Sequence, residues 1–129
     1  MKKLLYLFFA LSFACSSDED NSNTNTSIDG NWQLTSITED GQSTHNSCDL
    51  ESYMVILGDN TGTYFQYYSD DPATETCDLE STYDFIITMG SSSSNYNLVL
   101  EGESAPLVLN GNRLTLTFDD SEVIEFVKN

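Results

Sequence analysis

Leu114, Leu116 and Phe118 alternate with Thr115 and Thr117, and Tyr83, Phe85 and Ile87 repeat the same two-residue period earlier in the chain. One face of each run is apolar and the other wettable, which marks a strand buried on one side. From residue 30 onward no stretch carries a helical period. β-Branched and aromatic residues recur instead in short runs separated by turn chemistry. The pattern predicts eight strands: Asn31 to Thr38, Ser52 to Leu57, Thr63 to Ser69, Thr82 to Met89, Tyr96 to Leu100, Leu107 to Leu109, Arg113 to Phe118 and Glu122 to Val127. Met54-Val55-Ile56-Leu57 is apolar on both faces, so the period alone does not choose its inward set.

The connections alternate in kind. Gly58 to Gly62, Gly90 to Asn95 and Asn110-Gly111-Asn112 have the Gly, Asn and Ser chemistry of hairpin turns. Between them fall Glu39 to Glu51, Asp70 to Ser81, Glu101 to Pro106 and Asp119 to Ser121, all acidic and including the two longest. In an antiparallel up-and-down meander every second connection returns to the same end, so the strands predict a tight-turn pole and an acidic pole. An open sandwich of the same strands would show nearly the same pattern.

Charge sharpens that polarity. Of the 21 acidic residues, 13 fall at the long-loop pole: Glu39, Asp40, Asp49, Glu51, Asp70, Asp71, Glu75, Asp78, Glu80, Glu101, Glu103, Asp119 and Asp120. Arg113 and Lys128 fall at the other, with Asp29 and Asp59. Two readings follow. Long loops are solvated and keep a protein soluble, or the rim makes a field that repels anions and concentrates cations.

The first 14 residues read as a signal rather than as part of the fold. Lys2 and Lys3 precede the apolar run Leu4 to Ala14, which is too short to span a bilayer. The run ends in Ser12-Phe13-Ala14-Cys15 and resembles a bacterial lipoprotein signal, with Ser12 where leucine is usual. That resemblance makes Cys15 the lipidated first residue of the mature chain. The following Asp18-Glu19-Asp20 resembles the surface-export signal of Bacteroidetes lipoproteins, and a plain solvated linker would look the same. The expected organisation is therefore a signal peptide over 1–14, a lipidated, polar tether over 15–29, and one domain over 30–129. The expected place is the outer membrane or cell surface, with the lipid as sole membrane attachment.

Loss of residues 1–14 takes two of the four basic residues and no acidic one, leaving 2 against 21, a formal charge of −19. Such a chain has no footing on phosphate, so nucleic acid is excluded as a partner. With Cys15 lipidated, Cys48 and Cys77 remain as a pair in an oxidising compartment, and a disulfide between them is expected. They head a short repeat, Cys48-Asp49-Leu50-Glu51-Ser52 and Cys77-Asp78-Leu79-Glu80-Ser81. The bond would gather Asp49, Glu51, Asp78 and Glu80, oxygen ligands of the type calcium takes. No compact Asp-x-Asp loop accompanies them, and no metal site or cofactor is predicted. Catalytic signals are poor as well. His45 is the sole histidine and reads as an exposed loop residue, Ser91 to Ser94 form a turn and not a nucleophile elbow, and the adjacent Asp70 and Asp71 are not held across a substrate. The expectation is a protein that is not an enzyme.

Gly30-Asn31-Trp32 opening the first strand, the long first loop and the Asn-Gly final hairpin resemble the lipocalins. The closer resemblance is to the lipocalin-like domain of Bacteroidetes lipoproteins, carried by Gly30 to Ile37, Cys48 with Cys77, Gly58 to Tyr64 and Leu114-Thr115-Leu116. It implies an eight-stranded antiparallel up-and-down barrel, closed at the Trp32 end and open at the other, able to hold one small ligand. Gly30, Trp32, Arg113 and Lys128 are then candidates for the barrel floor, with either basic residue available for a cation–π contact with Trp32. The long first loop would be a lid over the mouth. Tyr64, Tyr83, Phe85, Leu98 and Leu116 are the expected lining, and they would equally make a filled core. The expected function is binding of a small, largely apolar molecule, neutral or cationic, by a monomer whose mouth faces away from the membrane. The competing reading is a filled barrel whose acidic loops bind a basic protein partner.

Overall fold

A computed structural model describes residues 27–69, 76–119 and 121–129. Cys15, the signal segment, Asp70, Asp71, Glu75 and Asp120 lie outside the described residues. The strands are β1 (Gly30–Glu39), β2 (Gln42–Ser43), β3 (Tyr53–Ile56), β4 (Thr61–Tyr68), β5 (Asp78–Met89), β6 (Asn95–Leu100), β7 (Glu103–Asn110), β8 (Arg113–Phe118) and β9 (Glu122–Lys128). From β3 to β9 each strand pairs antiparallel with the next. β3 and β9 both pair with β1, which closes eight strands into a barrel. The two-residue β2 is an addition to the predicted eight. It folds back on the end of β1 through Asp40-Gly41, both at positive φ.

Because no strand crosses over another, the connections segregate to opposite poles as the meander requires. The β3–β4, β5–β6 and β7–β8 turns share one pole with the chain's entry and exit. The β1–β3, β4–β5, β6–β7 and β8–β9 connections share the other.

Pairing decides the inward set that the period of β3 left open. Met54 lies opposite Trp32 and Tyr64, and Met54 and Ile56 are buried, which leaves Val55 outside. In β1 the register shifts between Leu34 and Ser36, so Leu34 faces Phe126 while Ile37, not Ser36, faces Ile124. This bulge keeps an apolar residue inward where strict alternation would have buried a serine. The core comprises Trp32, Leu34, Met54, Ile56, Phe85, Ile87, Leu98, Ala105, Leu107, Leu109, Leu114, Leu116 and Phe126, joined by Ile28 just before β1.

Two predicted boundaries are corrected. Glu101 to Pro106 is not a loop. Glu101-Gly102 is a two-residue turn and β7 already runs from Glu103, with Pro106 opposite Asn97. The proline is tolerated because Leu109 N–H bonds to Ser94 O on the β6 side, so by alternation the nitrogen of Pro106 faces β8, whose ladder with β7 begins only at Leu107. Likewise Asp78 to Ser81 is strand rather than loop, since β5 starts at Asp78 and stays paired with β4 past a register shift at Gln66/Tyr67.

Candidate functional site

The floor of the barrel is built from β1 and β9. Trp32 is fully buried, its Nε1 donates to Ile28 O at 2.8 Å, and the Lys128 ammonium lies 5.4 Å from the ring centroid. Lys128 sits opposite Trp32 in the ladder and its Nζ donates to Ser27 O at 2.7 Å. Gly30 belongs to the same construction. It has φ +133°, and a Cβ there would come within 2.7 Å of Lys128 Cε. Arg113 does not take part. It points outward to Glu125, 3.5 Å away. Alternation accounts for the difference: Arg113 precedes the inward Leu114, whereas Lys128 shares the inward parity of Ile124 and Phe126.

Above this floor, toward the acidic pole, the barrel encloses a cavity of ≈ 170 Å³ lined by Met54, Tyr64, Tyr83, Phe85, Leu98, Leu100, Leu116, Phe118, Ile124 and Phe126. All five residues expected to line a ligand site stand together on this wall. Sequence reasoning missed Met54, Leu100, Phe118, Ile124 and Phe126. For Phe118 and Ile124 the strand parity was available; for Met54 it was not, because both faces of its strand are apolar. Ser52 is buried, its Oγ accepts Tyr67 N–H at 3.0 Å, and it hydrogen-bonds with the Tyr64 hydroxyl. The Tyr64 ring packs edge-on to Phe126, with centroids 6.2 Å apart, and beside Tyr83 at 6.4 Å.

Burial pushes the Tyr64 phenol above its ordinary value of 10.0; the Ser52 hydrogen bond offsets part of this, and Asp49, Tyr83 and Glu122 add to it. A folded-state value raised above the unfolded one contributes stability that is whole below pH 10.0 and is lost as pH rises through the folded value. Denaturant titrations above that pH should therefore show a fall in stability that Tyr64→Phe partly removes. An identical alkaline slope in the two proteins would contradict the assignment.

Leu98, Leu100 and Phe118 also line a cleft of ≈ 330 Å³ between the end of the β6–β7 hairpin and β8, edged by Glu101, Glu103 and Asp119. The cavity wall thus continues into a carboxylate-bearing mouth. The long first loop is not its lid, for no residue of 40–52 lines either space. That loop lies on the rim instead, where Gln33 Nε2 donates to Leu50 O at 2.6 Å and to Ser52 O at 3.0 Å. His45 is not a free loop residue either: half-buried, its Nδ1 accepts Ile37 N–H at 3.2 Å.

Cys48 and Cys77 are bonded, with Cα atoms 5.3 Å apart, and the bond ties the rim loop to the start of β5. Asp49 and Glu51 fall in a short 3-10 turn (Asp49–Glu51), while Asp78 and Glu80 fall in β5. Among the described residues no three His, Cys, Asp or Glu side chains are grouped as metal ligands, and no helix is long and apolar enough to cross a membrane.

No curated protein and no solved structure matches the chain. A family model described as a lipocalin-like domain matches residues 28–129, which begins at the Ile28 that caps Trp32 and takes in every strand of the closed barrel. On that match and this architecture, the chain belongs to the lipocalin-like domain family.

Proposed function

We propose that this is an exported, lipid-anchored binding protein, without catalytic activity, that takes a small, largely apolar molecule with a neutral or cationic head into its barrel. What supports the ligand class is one observation, the apolar cavity whose wall runs through Leu98, Leu100 and Phe118 into a cleft edged by Glu101, Glu103 and Asp119. At ≈ 170 Å³ the interior is close to the roughly 150 Å³ that accepts a benzene-sized guest, and below the ~300–1,000 Å³ usual for whole ligands. The buried part of the ligand is therefore small, about six carbons, and the rest lies in the mouth among carboxylates. There a carboxylate head is repelled and an ammonium attracted. The lipid at Cys15 and the outer-membrane or surface location rest on the sequence pattern at the N-terminus. The N-terminal tether enters at the turn pole, which directs the acidic mouth away from the membrane.

The test compares hexylamine with hexanoate by calorimetry at low salt. The amine should bind more tightly, with a margin that shrinks as salt shortens the screening length to about 10 Å at 0.1 M. Leu100→Phe, which adds volume at the half-buried edge of the cavity, should weaken amine binding about tenfold while leaving the fold intact. Equal or tighter binding of hexanoate would end the proposal.

A further inference from the structure

β5 has 12 residues, and only Ile86 to Met89 pair with β6, because β6 ends at Leu100 and turns back through Glu101-Gly102. Asp78 to Phe85 therefore has no described partner on that side. Backbone direction follows from one bond. Ile87 N–H donates to Asn60 O at 2.7 Å on the β4 side, so Phe85 and Tyr83 also face β4, while Asp84 and Thr82 turn their N–H and C=O groups to the open side. A row of unpaired strand groups is a template for another chain. The side chains strengthen it, since Leu79 and Ile86 on this one strand are each 49% exposed. Beside the edge, the outer faces of β3 to β6 form a groove of ≈ 630 Å³ walled by Val55, Leu57, Phe65, Ile86 and Val99, with Asp84 and Glu101 also at its wall.

We propose that the open edge of β5, centred on Thr82 to Phe85, takes an extended basic segment of a partner protein as an added strand, with alternate apolar side chains in the outer groove. Main-chain bonds to Thr82 and Asp84 supply the register, and the side chains that the added strand turns to the outer face meet both the apolar groove and the carboxylates of Asp84 and Glu101 at its wall, which favour lysine or arginine among the apolar ones. A second copy of the same edge is disfavoured, because it would set Asp78, Glu80 and Asp84 against themselves on chains of formal charge −17. This inference does not depend on the ligand reading, as it uses the outer face and the strand edge and not the cavity.

The probe is a short peptide in which lysine and valine take turns on one face of the strand with threonine between them, with a glutamate–valine peptide of the same pattern and an N-methylated lysine–valine peptide as controls. The lysine–valine peptide should bind and slow hydrogen exchange of the Thr82 and Asp84 amides, and both controls should bind at least about tenfold more weakly. Thr82→Pro removes a donor that faces the gap and not β4, so the barrel should fold while peptide binding falls by a similar factor. No binding of the lysine–valine peptide, unchanged exchange at Thr82 and Asp84, or equal binding of the N-methylated peptide would overturn the proposal. So would a concentration-dependent dimer that Thr82→Pro dissociates, since the edge would then pair with its own copy.

Discussion

Trp32→Ala is expected to destabilise the barrel by about 3–5 kcal/mol, the range for deleting a large aromatic from a packed interior. Trp32 is fully buried, opposite both Met54 and Lys128, and it anchors the segment before β1 through Nε1 to Ile28 O. Alanine would leave a void at the floor, orphan the Ile28 carbonyl and remove the ring beneath the Lys128 ammonium. The last term is the smallest, about 0.5–1 kcal/mol at a half-exposed cation, so Lys128→Met, which keeps the stem but also loses the hydrogen bond to Ser27 O, should cost about 1–2 kcal/mol. Denaturant unfolding of the two variants separates the contributions. A cost below about 1 kcal/mol for Trp32→Ala would mean that the tryptophan does not close the floor. As the chain's only tryptophan, Trp32 also reports the floor by fluorescence. It does not line the cavity, so its emission should barely respond to ligand, whereas Tyr64 and Tyr83 should.

The polarity of the molecule was legible in the sequence because it depends on loop order alone, and loop order in a meander is counted and not modulated by packing. Inward faces were legible where Leu114, Leu116 and Phe118 or Tyr83, Phe85 and Ile87 alternate with polar neighbours, and the five expected lining residues come together for that reason. They were illegible where the local signal is symmetric or where a distant strand supplies the decision. Met54 and Ile56 point inward because of Trp32 and Tyr64 across the ladder, and the bulge before Ile37 has no signature in Thr35-Ser36. The repeated pentapeptide makes the same point. Asp49-Leu50-Glu51 closes a 3-10 turn with Ser52 buried behind it, while Asp78-Leu79-Glu80 is exposed strand held by β4, with Ser81 half-buried after it. Identical residues adopt two structures because one copy has a partner strand beside it and the other lies past the end of its own. The open edge of β5 was invisible for a related reason: β6 ends at Leu100 as expected, but the extension of β5 back to Asp78 is set by its pairing with β4 and not by any signal in its own residues.

Replacing both Cys48 and Cys77 by serine, or reducing the bond, should cost roughly 3.5 kcal/mol through the restored freedom of the unfolded chain. The closed loop spans a sequence separation of 29 and contains all of β3 and β4. In a domain of about 100 residues that loss corresponds to a fall in melting temperature on the order of 15–25 °C. The bond also holds the rim together locally. Cys48 is buried, and the 3-10 turn that follows it leads to Ser52, which supports both Tyr67 N–H and the Tyr64 hydroxyl. Yet no residue of the rim loop over 40–52 lines the cavity. Stability and binding should therefore separate: the serine variant melts far earlier, but below its melting point its affinity for hexylamine stays within about twofold of the oxidised protein. A melting temperature within a few degrees of the oxidised form would show that the 29-residue closure is not what constrains the unfolded chain. A large loss of amine affinity at full folding would show instead that the rim loop reaches the mouth after all, and would restore the lid that the arrangement of Leu50 and Gln33 argues against.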